Sequence, residues 1–230
     1  MLECYQTLMK QWDKAFKKHG KVFLSIQEDI PKVASEFKKN GAKRILDLGA
    51  GSGRHIVYLA KQGFDMYGFD ISESGIKISK DWLKKEGVNA KFKHGSIYKK
   101  LPYQDNFFDA IISTNTIHHE KIENIRKTIL EIKRILKPGG LIFITVRKRK
   151  LRKSYPKLTI IKKYGKQKTN YQIIEPRTYT PTDGAEKGLL HYLFNKRLIR
   201  KEFNNFKINN IWTDSNKRHH CFIGKLKNDK

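Results

Sequence analysis

Cysteine is almost missing from this sequence. Cys4 and Cys221 stand at opposite ends of 230 residues, so a disulfide framework and a four-cysteine metal site are excluded, and a reducing compartment is expected. No apolar run approaches the ~20 residues of a membrane span, and Met1-Leu2-Glu3-Cys4-Tyr5 lacks the basic-then-apolar order of a signal peptide. These absences predict a soluble, cytoplasmic protein with no membrane partner. Acids are also few: 22 Asp and Glu face 49 Lys and Arg, a formal charge of +27. Such an excess predicts a polyanionic partner such as RNA, and equally a lysine-rich solvated surface; composition leaves both open. The length suits one α/β domain with a sizeable core, so residues 1–230 are read as a single domain.

Two phosphate-binding signatures are missing as well, and their absence narrows the reading of the one glycine-rich stretch, Arg44-Ile45-Leu46-Asp47-Leu48-Gly49-Ala50-Gly51-Ser52-Gly53-Arg54. Ile45, Leu46 and Leu48 form the short apolar run of a strand buried on both faces. Ile56, Val57, Leu59 and Ala60 give the following helix a face to pack on it. Between them, alternating glycines allow a sharp turn and close approach of a ligand at the strand's carboxyl end. A dinucleotide loop needs glycine where Arg54 stands, and the Gly-Lys-Ser/Thr of a phosphate loop does not occur.

Asp47-Leu48-Gly49-Ala50-Gly51-Ser52-Gly53 resembles the first motif of the class I S-adenosyl-L-methionine-dependent methyltransferases, in particular the type 11/25-like members. The resemblance implies an α/β, Rossmann-like three-layer αβα sandwich, with a seven-stranded, mostly parallel sheet ending in a C-terminal antiparallel hairpin. It also implies S-adenosyl-L-methionine as cofactor and S-adenosyl-L-homocysteine as product, with Asp47, Gly49, Ala50, Gly51 and Gly53 at the cofactor. The chemistry is consistent: this donor carries an ammonium and a sulfonium and no phosphate, so an acid beside the loop is useful and a lysine is not.

The rest of the chain continues the pattern. Residues 1–42 hold two amphipathic helical repeats, Leu8, Met9, Trp12, Ala15 and Phe16, then Ile30, Val33, Ala34 and Phe37 with Pro31 in a first turn. The stripe of Trp12 and Phe16 suits core packing, whereas the resemblance makes this segment a helical lid, with Tyr5 and Trp12 over the pocket. Met66-Tyr67-Gly68-Phe69-Asp70 reads as the second strand. A carboxylate at its tip can accept from a ribose diol or cap the next helix; the resemblance assigns Asp70 to the ribose and Ile71 to the adenine. At the tip of the strand Ala90–His94, Ser96 stands where the family usually has an acid, and Ile97 keeps the apolar role beside adenine. Leu101-Pro102 through Phe107-Phe108-Asp109 leads into a buried fourth strand, as in the family. Lys137-Pro138-Gly139-Gly140 is read as a turn before Leu141–Val146.

Thr114-Asn115-Thr116-Ile117-His118-His119-Glu120 falls where the resemblance places the departing methyl group, with Asn115 at the cofactor. It is not the Asn/Asp-Pro-Pro-aromatic motif of many amino-nitrogen methyltransferases, and no cysteine is near for a covalent route. Neighbouring residues on a regular helix or strand point in different directions, so His118 and His119 are not expected to act together. Either one is read as a general base or as packing on the cofactor, and with no third ligand beside His118-His119-Glu120 no metal is expected.

From Arg147 to Lys168 there are eleven basic residues and no acid, with Tyr155 and Tyr164 interleaved, a pattern that suits a nucleic-acid backbone or a solvated insertion. Residues 147–190 are read as a basic and polar insertion beside the acceptor. In the family resembled, this turn-rich connection often lines the acceptor pocket, so Arg177, Tyr179, Asp183, His191 and Tyr192 are read either as acceptor contacts or as a loop packed on the core. A helix near 196–203 and strands at 206–212 and 219–226 complete the chain, with His219-His220-Cys221 read as edge-strand side chains. The expected activity is methyl transfer to an O or N nucleophile of a small molecule, with His118, His119 and His191 as catalytic bases. RNA or protein as acceptor is the alternative, and a cofactor-binding protein without transferase activity is a third.

Overall fold

The computed structural model describes residues 11–18, 20, 24–148, 159–161, 168–184 and 186–228, with backbone only at 159–161 and 168–170. The apolar run of β1 (Arg44–Leu48) becomes the centre of a sheet. It pairs in parallel with β2 (Asp65–Asp70) on one side and β4 (Phe108–Thr114) on the other. Outward from these lie β3 (Ala90–His94) beside β2 and β5 (Leu136–Arg147) beside β4, both parallel. Beyond β5 the sheet turns antiparallel with β12 (His219–Leu226) and the two-residue β10 (Phe206–Lys207). The order β10-β12-β5-β4-β1-β2-β3 contains the expected seven strands, and a short β11 (Ile211–Thr213) adds an eighth by pairing with β12.

Alternation along β1 sends its side chains to two different layers. Leu46 and Leu48 join the cluster that buries Ile125, Ile129 and Ile132 of α5 (Ile122–Ile135) and Ile199 of α6 (Lys196–Glu202). Ile45 joins the opposite cluster, with Ile30, Val33 and Phe37 of α2 (Ile30–Lys39), Ile56 and Leu59 of α3 (Arg54–Lys61) and Leu83 of α4 (Glu73–Lys85). This is the three-layer αβα sandwich. A further helix, α1, covers residues 11–18. No helix among the described residues is long and apolar enough to cross a membrane.

Three expectations need correction. Lys137-Pro138-Gly139-Gly140 is not a turn before the strand: Leu136 already pairs with Phe108, and pairing resumes at Ala110 with Leu141. The four residues bulge out within β5, with Gly139 at φ +71°. The strand expected at 206–212 is broken into β10 and β11 because the register on β12 slips by one between Phe206↔Leu226 and Ile211↔Phe222; the carbonyl of Ile208, in the break, accepts from Arg200 instead. The turn-rich loop at 177–192 is part of a second, antiparallel sheet of β6 (Thr159–Ile161), β7 (Lys168–Glu175), β8 (Thr178–Pro181) and β9 (His191–Tyr192). It is anchored to the core where Tyr192 N donates to the His118 carbonyl at 2.7 Å and Phe194 N to that of Arg147 at 2.9 Å. Tyr5, Tyr155, Tyr164 and the basic run 149–153 lie outside the described residues.

Phe143, wholly buried in the middle of β5, stacks on Trp212 at 6.2 Å between ring centroids. Phe143→Ala is expected to lower unfolding free energy by ~3–5 kcal/mol, read from the urea midpoint at unchanged m-value.

Candidate active site

The carboxyl ends of the parallel strands open onto one cavity of about 540 Å³. The chain turns away from β1 at Gly49, whose N–H donates to the Phe69 carbonyl at 2.8 Å and so ties the loop to β2. Gly49 has φ +91°, and a Cβ there would lie 2.3 Å from Thr116 Oγ1. Gly53, the N-cap of α3, has φ +84°, and its Cβ would meet Ser79 Oγ at 1.9 Å. Both positions therefore need glycine for conformation and for space.

Helix α1 lies across this loop. Phe16 is buried 3.1 Å from where a Gly51 Cβ would stand. Asp13 fastens the helix to the start of α4, accepting from Ser72 Oγ at 2.9 Å and Ser74 N at 3.0 Å. Burial opposes the charge on Asp13, but these bonds and Lys17 outweigh it and hold the carboxyl well below its usual range. Gln11 Nε2 donates to the Lys187 carbonyl of the insertion, so α1 touches both rims of the cavity.

Asp70 accepts from Gly51 N and Ser72 N, each at 2.8 Å. It is not the helix cap, which is Ser72, accepting from Gly75 N. Burial raises Asp70 to about 6 despite those two bonds, with Asp47 adding to the rise and His94 opposing it. Asp47 is completely buried, and neither carboxylate oxygen has a hydrogen-bond donor. Its nearest cationic candidate is His55 Nδ1 at 3.6 Å, and burial depresses that imidazole's pKa. An unmet buried carboxylate beneath a glycine loop fits a cationic ligand group.

Ile71, Ser96, Ile97 and Tyr98 continue the wall away from the loop. Asn115 follows at φ +58°, a conformation asparagine tolerates; its N–H donates to Thr145 Oγ1 at 2.8 Å, and that hydroxyl donates back to Asn115 Oδ1 at 3.0 Å. At the far end the wall is imidazole. The ring centroids of His118 and His119 are 4.4 Å apart, and His191 lies 4.6 Å from His119. The expectation that His118 and His119 diverge is overturned because they sit in an irregular turn between β4 and α5, where helix and strand periodicity do not apply. Burial and neighbouring imidazoles push His118 well down, and burial lowers His119.

Gly49, Ala50, Gly51, Asp70, Ile71, Ser96, Ile97, Asn115, His118, His119 and His191 all line this cavity; Asp47 and Gly53 lie behind it. Among the expected acceptor contacts only His191 reaches the wall. Tyr179 stacks behind it at 4.9 Å, Arg177 donates to the Leu193 carbonyl, and Tyr192 packs on Phe194. Wall residues that the sequence did not single out for the site include Glu186, Asp214, Arg218 and His219, beside Arg147 at the start of the expected insertion. His219 is not a mere edge side chain; its Nδ1 lies 2.8 Å from Asp214 Oδ2 and its Nε2 3.4 Å from Arg147. The clue was positional, since β5 and β12 are paired through Arg147↔His219 at the same sheet end.

A parallel sheet with an acid-bearing glycine loop after β1 and an acid at the tip of β2 defines a Rossmann-like nucleoside-binding protein. Comparison with known proteins narrows this. A family model described as a methyltransferase domain matches residues 46–144. Ubiquinone biosynthesis O-methyltransferase of Rickettsia felis is 29% identical over 135 residues, 59% of this chain and 53% of that protein. The tRNA (carboxymethyluridine(34)-5-O)-methyltransferase of Arabidopsis thaliana is 39% identical over 123 residues, 50% of this chain and 27% of that protein. The chain thus spans about half or less of the length of these relatives. Among solved structures, 1,6-didemethyltoxoflavin-N1-methyltransferase of Burkholderia thailandensis superposes with a TM-score of 0.72 at 15% identity, covering 98% of this chain and 90% of that one. Residues 46–144 thus match a methyltransferase domain, and the fold is that of solved S-adenosylmethionine-dependent methyltransferases.

Gly53→Ala combines a left-handed φ with a contact that α4 must move to relieve, since Ser79 Cα also lies 3.1 Å away. The substitution is expected to destabilise by more than the ~1–2 kcal/mol of the backbone conformation alone, and Ser79→Gly added to it should recover only the excess in thermal unfolding.

Proposed function

We propose that the chain transfers the methyl group of S-adenosyl-L-methionine to an oxygen or nitrogen nucleophile of a small acceptor. One observation carries this reading: the cavity that begins at the glycine loop and Asp70 ends at Arg147 and the imidazoles, so donor and acceptor would share one cavity. Asp70 would accept from the ribose hydroxyls, Gly49, Ala50, Gly51 and Gly53 would shape the close approach, and Asp47, behind the loop, would attract the ammonium through its charge. Ile71, Ser96 and Ile97 would border the adenine, with Asn115 near the sulfonium. When bound, the cofactor supplies an electrophilic methyl carbon. The chain holds the nucleophile in line with it and excludes water, which is where rate enhancement arises in a direct displacement.

Arg147 suggests the acceptor's character. Its guanidinium meets Tyr179 and His219, and no carboxylate lies within ion-pair distance of it among the described residues. An arginine so placed suits an acceptor bearing an anionic oxygen. Two of the relatives above are named as O-methyltransferases, in agreement with oxygen as the nucleophile. A second reading, RNA as acceptor, is favoured by the +27 charge and by the tRNA-modifying relative. Incubation with methyl-labelled cofactor, total RNA and a metabolite extract separates the two by the fraction that becomes labelled. Label in neither, with cofactor still bound, would leave a binding protein.

Removing Asp70 removes two hydrogen bonds to a charged acceptor, so Asp70→Ala should weaken cofactor binding by at least ~100-fold, measured by calorimetry on folded protein. The pH dependence has a definite sign. Asp70 is raised from 3.8 to about 6, so the folded chain loses stability as pH rises from 3.8 to about 6, and the loss is constant above that. A diol that donates to the ionised carboxylate favours the same form. Cofactor affinity should therefore rise with pH to a plateau above about 6, with a proton released on binding below it. Flat affinity from pH 5 to pH 8 would separate Asp70 from the ribose.

A further inference from the structure

Sequence reading dismissed a metal here for want of a third ligand beside His118 and His119, and the fold supplies one from 72 residues further on. His191 enters on β9, and one ring nitrogen from each of His118, His119 and His191 lies within 4.8 Å of the other two. All three side chains are buried, at 2%, 6% and 2% exposure. Three imidazoles packed this tightly cannot all be protonated, and neutral rings must each place a lone pair somewhere.

The lone pairs are poorly placed for hydrogen bonding. His118 Nδ1 is buried without any hydrogen-bond partner. His119 has a carbonyl oxygen facing each ring nitrogen, Leu190 at Nδ1, 3.3 Å, and Asn115 at Nε2, 3.1 Å. A neutral ring donates through one nitrogen only, so the other confronts an acceptor with a lone pair, a repulsion that a bound cation removes. The outer surroundings are those of a ligating histidine: a carbonyl accepts from the second nitrogen of His119, Glu186 Oε2 lies 3.6 Å from His191 Nε2, and Tyr179 stacks on the His191 ring.

We propose that His118, His119 and His191 bind one divalent transition-metal ion of the zinc class, leaving a fourth coordination position open to the acceptor end of the cavity. Nitrogen donors of this kind suit zinc, cobalt, nickel or copper and not magnesium or calcium, which need oxygen. Three histidines with an open position form a catalytic rather than a purely structural zinc arrangement. Zn–N bonds of ~2.0–2.1 Å set the ligand nitrogens ~3.3 Å apart, so nitrogens now within 4.8 Å of one another close by about 1.5 Å at most. The open position would take an oxygen of the acceptor beside Arg147; that use rests on the transferase reading, whereas metal binding itself does not.

The test uses the untagged full chain stripped of metal with a chelator. Calorimetric titration with zinc sulfate should show one ion per chain, magnesium should neither bind nor compete, and cobalt should give the intense visible bands of a tetrahedral site. His118→Ala and His191→Ala, checked for folding by circular dichroism, should each weaken zinc by more than the ~10–100-fold that loss of an outer partner costs. His94→Ala, an exposed histidine elsewhere, should not. Absence of stoichiometric zinc, a weak octahedral cobalt spectrum, or unchanged affinity in both cluster variants overturns the site. Cofactor titrated into the same metal-free protein reads the donor end separately. Cofactor binding without zinc would sink the metal site alone, and zinc binding without cofactor the transferase reading alone.

Discussion

The carboxylate of Asp70 is where the loop after β1, the tip of β2 and the first turn of α4 are held together. Its two oxygens take the N–H groups of Gly51 and Ser72, donors that the turn and the helix start cannot satisfy internally. The arrangement fixes the loop's shape before any ligand arrives, which reduces the ordering cost of binding. Burial opposes the charge that makes the acceptor strong. The group is therefore held ionised at neutral pH against its surroundings, and further donors would stabilise it more than they would a solvated acid.

Helix α1 extends that network across the cavity. Asp13 grips the same turn of α4 that Asp70 supports, Phe16 covers the glycine loop, and Trp12 meets the edge of His119 at 5.7 Å between ring centroids. One short helix thus contacts both the donor and the acceptor end. Moving it would expose Phe16 and release Asp13 from its donors together, so access to the two ends is mechanically linked rather than independent.

How much of this was legible in the sequence depended on the range of the interactions. Ile45, Leu46, Asp47 and the glycines announced a strand and turn because both are set within ten residues, and Asp70 followed from one more strand of the same pattern. The bulge at Lys137–Gly140 was misread because proline and glycine signal a break without saying whether the strand has already begun. His191 was expected at the acceptor but reaches the wall through β9 and the turn after β4, and His219 could be placed there only by the long-range pairing of β5 with β12. His118 and His119 were separated by a periodicity rule that their irregular turn does not obey. Asp47 and Gly53 stand in the motif and shape the site from behind the cavity wall.

The cavity's own charges help to locate the meaning of the overall excess. Among the described residues the wall carries Arg54, Arg147 and Arg218 together with Glu28, Asp70, Glu186 and Asp214, so there the formal +27 of the whole chain is not matched by an excess of cations. Charge away from the cavity acts over distance on whatever approaches and is screened by salt. Selection of the reacting group and attraction of its carrier are then separate tasks for separate surfaces. A compact anionic group suits the interior around Arg147 whether it arrives free or attached to a polyanion, and only the second case would use the exterior charge as well.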